Sequence, residues 1–411
     1  MPISRSFIVD VAPLRESRDF RLLFAGQAVS SVGRQLTVVA APVQIFALTG
    51  STLMVGMLGL VQFPALLVGS FFGGVLADTR DRRSIFFWAQ FFLAITTAGL
   101  AINAMAAAPS ITVVFGLTSA NAFLSGIDNP SRTAAIPRLV SADGLPAALA
   151  LQVLMLQAAG AVGPAAAGLI IAKSSLAMAF WIDTATFFIA MLAVFLMRPI
   201  PPQNSMAQSR WKATIEGFRF LSSKQELKGI FLIDINAMVL GMPRALFPEF
   251  GIEVFRGTEA TVGYLFAAPG IGAMVASLTS GWIGRIHRLG RATTIAVVVW
   301  GLGVAGFAIS PWLWLSLALL AFAGASDALS AVFRSTILQL TTPDQLRGRL
   351  SAIQIAVVTG GPRIGDAEAG LVSGLLGPRF AACSGGVGSA MGALVIAQLL
   401  PRFRGWVRPS R

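Results

Sequence analysis

One cysteine, one histidine and one tyrosine occur in 411 residues, and only 12% of the chain is charged. Cys383 has no partner for an intramolecular disulfide and no companion thiolates for a metal. His287, alone, excludes most histidine-based catalysis and metal ligation. A soluble domain carries about 25% charged residues, so too little polar surface exists here to coat a body in water. A cytosolic enzyme, a disordered chain and a disulfide-rich secreted domain are all excluded. No Gly-rich loop ending in Lys is present to cradle nucleotide phosphates. Neither direct ATP use nor any cofactor or metal is expected.

What the chain has is apolar: 55% of its residues are hydrophobic, and the mean hydropathy is +0.75. Its 42 glycines exceed the usual share of about 7%, which suits helices packed closely in lipid. The expected class is all-α, a polytopic membrane protein. Crossing the hydrocarbon core takes ~20 apolar residues. Twelve such runs lie near 22–48, 54–77, 85–106, 111–129, 147–171, 176–197, 229–250, 262–284, 293–310, 311–333, 350–372 and 380–400. The long stretch 198–228 holds Pro199, Pro201 and Pro202, then a basic amphipathic run from Trp211 to Lys228. It predicts an N-terminal six-helix bundle over 1–199, a cytoplasmic linker with an amphipathic segment over 200–228, and a C-terminal six-helix bundle over 229–411. Residues 1–21 mix Asp10, Glu16 and Asp19 with four arginines, unlike a cleaved signal.

Basic residues accumulate on the cytoplasmic side of membrane proteins. With the N-terminus inside, 25 of the 31 Lys and Arg fall in inner segments. The outer loops hold Lys173, Arg256 and Arg379, and the spans hold Arg34, Arg244 and Arg363. Both termini are therefore expected in the cytoplasm. The net charge of +13 then reflects topology beside anionic headgroups, with no need for nucleic acid.

The two halves resemble each other. Ser51–Leu58 aligns with Thr258–Leu265 at an offset of 207, which also places Gly74 on Gly281. Ser141–Leu145 aligns with Thr342–Leu346 at 201, and Gly163-Pro164 with Gly361-Pro362 at 198. Four matches in one order predict two pseudo-symmetric six-helix halves, a transporter build with its substrate site between them near the bilayer midplane.

After the second span comes Gly74-Val-Leu-Ala-Asp78-Thr-Arg80-Asp81-Arg82-Arg83. This string resembles the loop signature of the major facilitator superfamily, with Thr79 for the usual basic residue and Asp81 for the usual Gly. The resemblance implies a cytoplasmic gate built on Gly74, Asp78, Arg82 and Arg83; the alternative is an ordinary positive-inside turn. In the second copy Arg285 falls where Asp78 does. Gly160-Ala-Val-Gly163-Pro164 resembles the Gly-Pro signature of the superfamily's drug/proton antiporters. Gly163, Pro164, Gly361 and Pro362 are thus candidates for helix bending, or for close packing alone. The arginine usual within the fourth span is absent from 111–127. Ala41-Pro-Val-Gln-Ile45, Gly73–Asp78, Arg244-Ala-Leu-Phe-Pro248 and Gly365-Asp366 look like the branch of enterobactin exporters and macrolide-type efflux proteins. That likeness implies export of an amphiphilic small molecule.

An ionisable residue in a span costs about 2.5–3.5 kcal/mol at mid-membrane and faces a cavity or a partner. Here these are Arg34, Asp183, Asp234, Arg244, Asp327, Arg363, Asp366 and Glu368. Asp366 first and Asp234 second are the candidates for proton coupling, each able to load a proton on one side and release it on the other. Arg34, Arg244 and Arg363 could receive acidic or catechol-type groups, with Gln44, Asn121 and Gln157 adding hydrogen bonds. Alternatively, Arg363 and Asp366, at i,i+3 spacing, neutralise each other, and the amides glue helices together. Asp128 with Arg132 reads as a structural i,i+4 pair, Glu249 and Glu253 as solvated outer-rim residues, and His287 as a solvated loop residue.

The expected function is a bacterial inner-membrane secondary exporter, monomeric, working by alternating access and proton antiport on a small molecule. An importer or uniporter of the same fold, or a non-transporting receptor or scaffold, are the alternatives. A membrane enzyme would need a nucleophile or metal cluster that one His and one Cys do not provide.

Overall fold

The computed structural model describes residues 10–201 and 210–408, apart from the side chains of Asp78 and residues 210–215. Every regular element among the described residues is helical. Twelve long helices follow in order: α1 Arg18–Thr49, α2 Thr52–Thr79, α3 Arg82–Met105, α4 Ile111–Leu139, α5 Leu145–Lys173 and α6 Leu176–Phe195, then α7 Gln225–Leu240, α8 Glu259–Leu278, α9 Leu289–Ile309, α10 Leu313–Thr341, α11 Asp344–Leu376 and α12 Pro378–Leu399. Eleven of the spans are long and apolar enough to cross a membrane. The other is α11, whose 33 residues rise about 50 Å. It carries Arg347, Arg349, Arg363, Asp366 and Glu368, so its polarity rather than its length sets it apart. A further helix, Arg210–Ser223, precedes α7.

Three boundaries differ from the apolar runs by eight residues or more. Helix α4 continues from 129 to Leu139 through Pro130 and Pro137, and α10 continues from 333 to Thr341. In both, the apolar run ends where charges begin, but Arg132 and Arg334 pair inside the protein and the helix goes on. Helix α7 instead stops early, at Leu240. Gly241 and Pro243 interrupt it, and the chain proceeds through a 3-10 turn at Arg244–Leu246, one α turn at Phe247–Glu249 and a π turn at Phe250–Val254. Gly241 is a poor helix former and Pro243 removes a donor and crowds the preceding turn; the two together favour a break here, whereas the single interior prolines of α5 and α11 are passed.

Helix ends are set by local chemistry. Asp81 caps α3 by accepting from the Arg83 amide at 3.0 Å, and Ser175 caps α6 by accepting from Met178 at 3.1 Å. Gly377, at φ +87°, separates α11 from α12, a conformation that a side chain would strain.

The chain divides into two compact units, Met1–Gln44 with Val61–Ser205, and Ile45–Leu60 with Met206–Arg411. The start of α2 belongs to the second unit because Gly56, Gly59 and, on α11, Gly370 bring the two helix backbones together. Within the second unit, Gly272 of α8 rests on the Ala321 carbonyl of α10, and Gly324 of α10 rests on the Pro269 carbonyl of α8. A methyl group at either position would overlap the facing carbonyl. Large apolar side chains such as Phe71, Ile102, Leu192 and Trp314 point outward, a surface suited to lipid tails rather than water.

Candidate functional site

In the first unit, α4 brings two charges four residues apart onto one face. Asp128 is fully buried and pairs with Arg132, also buried. The carboxylate is 3.9 Å from Arg34 Nη1 of α1, and Arg34 Nη2 donates to Ser31 at 3.1 Å. One acid thus serves two guanidiniums. Asp183 of α6, 0% exposed, accepts from Thr37 at 2.5 Å and Thr186 at 3.3 Å, and its charge also acts on Arg34. Beside the Asp128–Arg132 pair is a cavity of about 10 Å³ that Gln27, Ser30 and Gln90 also line, room for about one water.

The candidate amides differ in their surroundings. Gln44 is 2% exposed, and neither end of its amide has a hydrogen-bond partner among the described residues. Asn121 reaches Thr97 of α3 at 3.3 Å and Thr96 at 3.5 Å, tying α4 to α3. Gln157 is half-buried on α5. Helix α5 runs through Pro164, and α11 through Pro362, without losing helical structure. Gly163 admits Gln35 of α1, and Gly361 admits Met238 of α7.

The basic turn before α3 is a clamp on carbonyl groups. Arg83 Nη2 donates to Phe195 O at 2.5 Å and Nε to Val194 O at 3.3 Å, with its guanidinium 5.7 Å from the Phe195 ring centre. The last carbonyls of a helix lack intrahelical donors, and Arg83 supplies them at the end of α6. Arg82 donates to Ala134 O of α4 at 2.6 Å. Asp81 accepts from Ile200 N at 2.8 Å, while Ile200 O accepts from Arg82 N at 3.1 Å. Gly74 lies on α2, half-buried. The Asp78 side chain lies outside the described residues.

In the second unit the break in α7 exposes backbone amides, and Asp366 of α11 accepts from one of them, Ala245 N, at 3.1 Å. Arg244 and Arg363 are close enough for their charges to act on Asp366. Arg363 is half-buried, with no hydrogen-bond partner for its Nη1 among the described residues. Asp234 of α7 is buried and pairs with Arg334 of α10 at 3.0 Å. Arg334 also donates to Ser330 at 2.8 Å and lies 3.9 Å from Asp327. Glu249 is not a free rim residue: it accepts from Thr52 and, at 2.8 Å, from Ser373. Glu253 and His287 are exposed.

The model of the family described as transmembrane secretion effector, a major facilitator family, matches residues 8–405. The chain belongs to that family. The chain is similar over nearly its whole length to the enterobactin exporter EntS of Citrobacter koseri. The two are 29% identical over 405 residues, which is 98% of this chain and 97% of that one. EntS of Shigella boydii serotype 18 is 29% identical over 403 residues, covering 97% of each. Among solved structures, the nucleoside transporter NupG matches with a TM-score of 0.75 at 14% identity, covering 93% of this chain and 98% of NupG. That likeness is one of fold. The protein is a multi-pass major facilitator transporter, with the bilayer and a small-molecule substrate as its surroundings and cargo.

Arg334 is the residue that sequence reasoning places wrongly. Counted as an inner-loop cation, it lies inside α10 with its side chain 3% exposed. A signal was available in the repeat. Arg132 and Arg334 are 202 residues apart, near the offset of 201 found for the strings that follow them. Gln27 and Asp234 are 207 apart, the offset of the second and eighth helices. Both halves therefore keep a buried arginine. Its acid lies four residues earlier on the same helix in one half, and on the facing helix in the other.

Proposed function

We propose that this transporter exports a siderophore-like amphiphile from the cytoplasm across the bacterial inner membrane, by alternating access and in exchange for protons. The similarity to enterobactin exporters over 97–98% of the chain carries the proposal. The chemistry of the buried charges and amides supports it. Arg34, Arg244 and Arg363 offer cations to acidic or catecholate groups, and buried Gln44 has an amide free to bond with a ligand or water. Asn121, tied to α3, and Gln157 are secondary contacts. Asp366 and Asp234 are the proton-coupling residues, in that order. Gly74, Asp78, Arg82 and Arg83 act as the cytoplasmic gate, while Gly163, Pro164, Gly361 and Pro362 are the places where α5 and α11 flex. The protein works as a monomer with both termini in the cytoplasm.

Everted vesicles containing the protein test this directly, with iron-free enterobactin as the probe. Acidifying the lumen should drive enterobactin accumulation, and a protonophore should abolish it. Accumulation that ignores the protonophore would refute proton antiport, and an absence of any movement would refute the siderophore-like cargo.

A further inference from the structure

Arg334 is shared. Its Nη2 is 3.0 Å from one carboxylate, Asp234, and 3.9 Å from a second, Asp327. The two acids differ in their access to water. The Asp234 and Arg334 side chains are each 3% exposed, whereas that of Asp327 is 38% exposed. Asp327 lines a cavity of about 50 Å³ with Arg244, Pro269 and Trp300. A cavity of that size holds a few waters but falls far short of the about 300 Å³ that the smallest drug-sized ligand sites require. In this state it admits water and protons and is too small for a whole cargo molecule.

We propose that Asp327 is the residue through which protons act on the Asp234–Arg334 pair, with Arg334 coupling it to the buried Asp234. The inference rests on the proton antiport proposed above and assigns its entry point. With Asp327 ionised, its carboxylate competes with Asp234 for the same guanidinium nitrogen. A proton arriving from cavity water adds to a carboxylate oxygen of Asp327 and removes that negative charge. Arg334 keeps its own charge and passes wholly to Asp234, closing a neutral buried pair. Release of the proton to water restores the competition. Arg334 is a positioning residue in this scheme, and Ser330, at 2.8 Å from its Nη1, fixes the other end of the fork while Nη2 moves.

The charged surroundings are few. Helix α10 contributes Arg334 itself, α7 contributes Asp234, and the turn after α7 contributes Arg244 across the cavity. Helices α8 and α9 present only uncharged residues to the cavity, namely Pro269, Trp300 and Val304. Asp327 is therefore the cavity's one acid among the described residues, and no neighbouring carboxylate there can substitute for it.

Two measurements test this on the full-length protein in vesicles. The first follows pH-gradient-driven accumulation of enterobactin, and its exchange at equilibrium with no gradient, in wild type, Asp327→Asn and Asp327→Glu. Asp327→Asn should lose driven accumulation to the protonophore level yet retain exchange, and Asp327→Glu should restore coupling. Driven accumulation unchanged in Asp327→Asn would overturn the proposal. So would loss of both driven accumulation and exchange, which would make Asp327 a residue of fold or cargo.

The second needs no cargo. An infrared pH titration of the purified protein reads the carboxylic-acid C=O band. Asp327→Asn should remove one protonating carboxyl from it, while Asp234→Asn should leave that carboxyl in place. If neither the band nor its pH dependence differs between wild type and Asp327→Asn, the entry point is wrong even where antiport holds. If the band behaves as expected but wild-type accumulation ignores the protonophore, antiport fails and the proton site stands.

Discussion

Replacing Asp128 with Asn tests whether the charges buried in the first unit form a working cluster. Asp128 is fully buried and is the acid paired with both Arg132 and Arg34. Asparagine keeps the shape but removes the charge, leaving Arg132, 5% exposed at its side chain, as an uncompensated buried cation. Removing one partner of a buried pair costs about 3–5 kcal/mol. Arg34, 21% exposed, can recover some hydration and adds little to that figure. For a unit of roughly 150–250 residues each kcal/mol moves Tm by about 2–4 °C, so the expected loss is about 6–20 °C. Thermal unfolding of the detergent-purified protein, followed by tryptophan fluorescence, reads it. The double substitution Asp128→Asn with Arg132→Gln removes both charges, and it should recover most of the loss. A single variant melting within about 2 °C of wild type, less than 1 kcal/mol, would refute the assignment. So would a double variant no better than the single one.

Asp366→Ala removes the acceptor of the Ala245 amide and should cost about 1–3 kcal/mol in thermal unfolding, whereas Asp366→Asn, which retains a carbonyl, should cost visibly less. Arg83→Ala strips two carbonyl bonds and a ring contact from the end of α6, so hydrogen exchange should quicken around 192–197 while the middle of α6 stays protected. Gly272→Leu would force a side chain into the Ala321 carbonyl and should abolish monodisperse expression. Gly116→Ala, with open space around it, should express like wild type.

The apolar runs and basic bias made the helices legible, since bilayer thickness and charge placement act on sequence directly. The clusters were less so. Arg34 and Asp234 were visible as charges in apolar spans and Asp128 with Arg132 as an i,i+4 pair, but Arg334 sat just past the point where its apolar run ended. Only packing shows that α4 passes Pro130 and α10 passes residue 333 with their charges neutralised inside. Pairing is also non-local: Asp234 and Arg334 lie 100 residues apart, and no pattern short of the repeat offsets connects them. The role of Asp81 was hidden for a different reason. As a substitution for glycine in a known signature it looked like a departure, while its carboxylate proves to cap α3 and to hold Ile200.

The placement of the two acids bears on how the chain is made. In α4 the acid and base are four residues apart and enter the membrane together, as a neutral package. In the other half, Asp234 emerges from the ribosome 100 residues before Arg334. At synthesis rates of about 5–20 residues per second, that interval is about 5–20 s. Through that time α7 has no arginine to meet its aspartate, so the insertion machinery must hold it, or admit it protonated, until α10 arrives. Assembly of the second half thus depends on the order and pace of translation, as does the pairing of Arg34 in the first half, which precedes Asp128 by 94 residues.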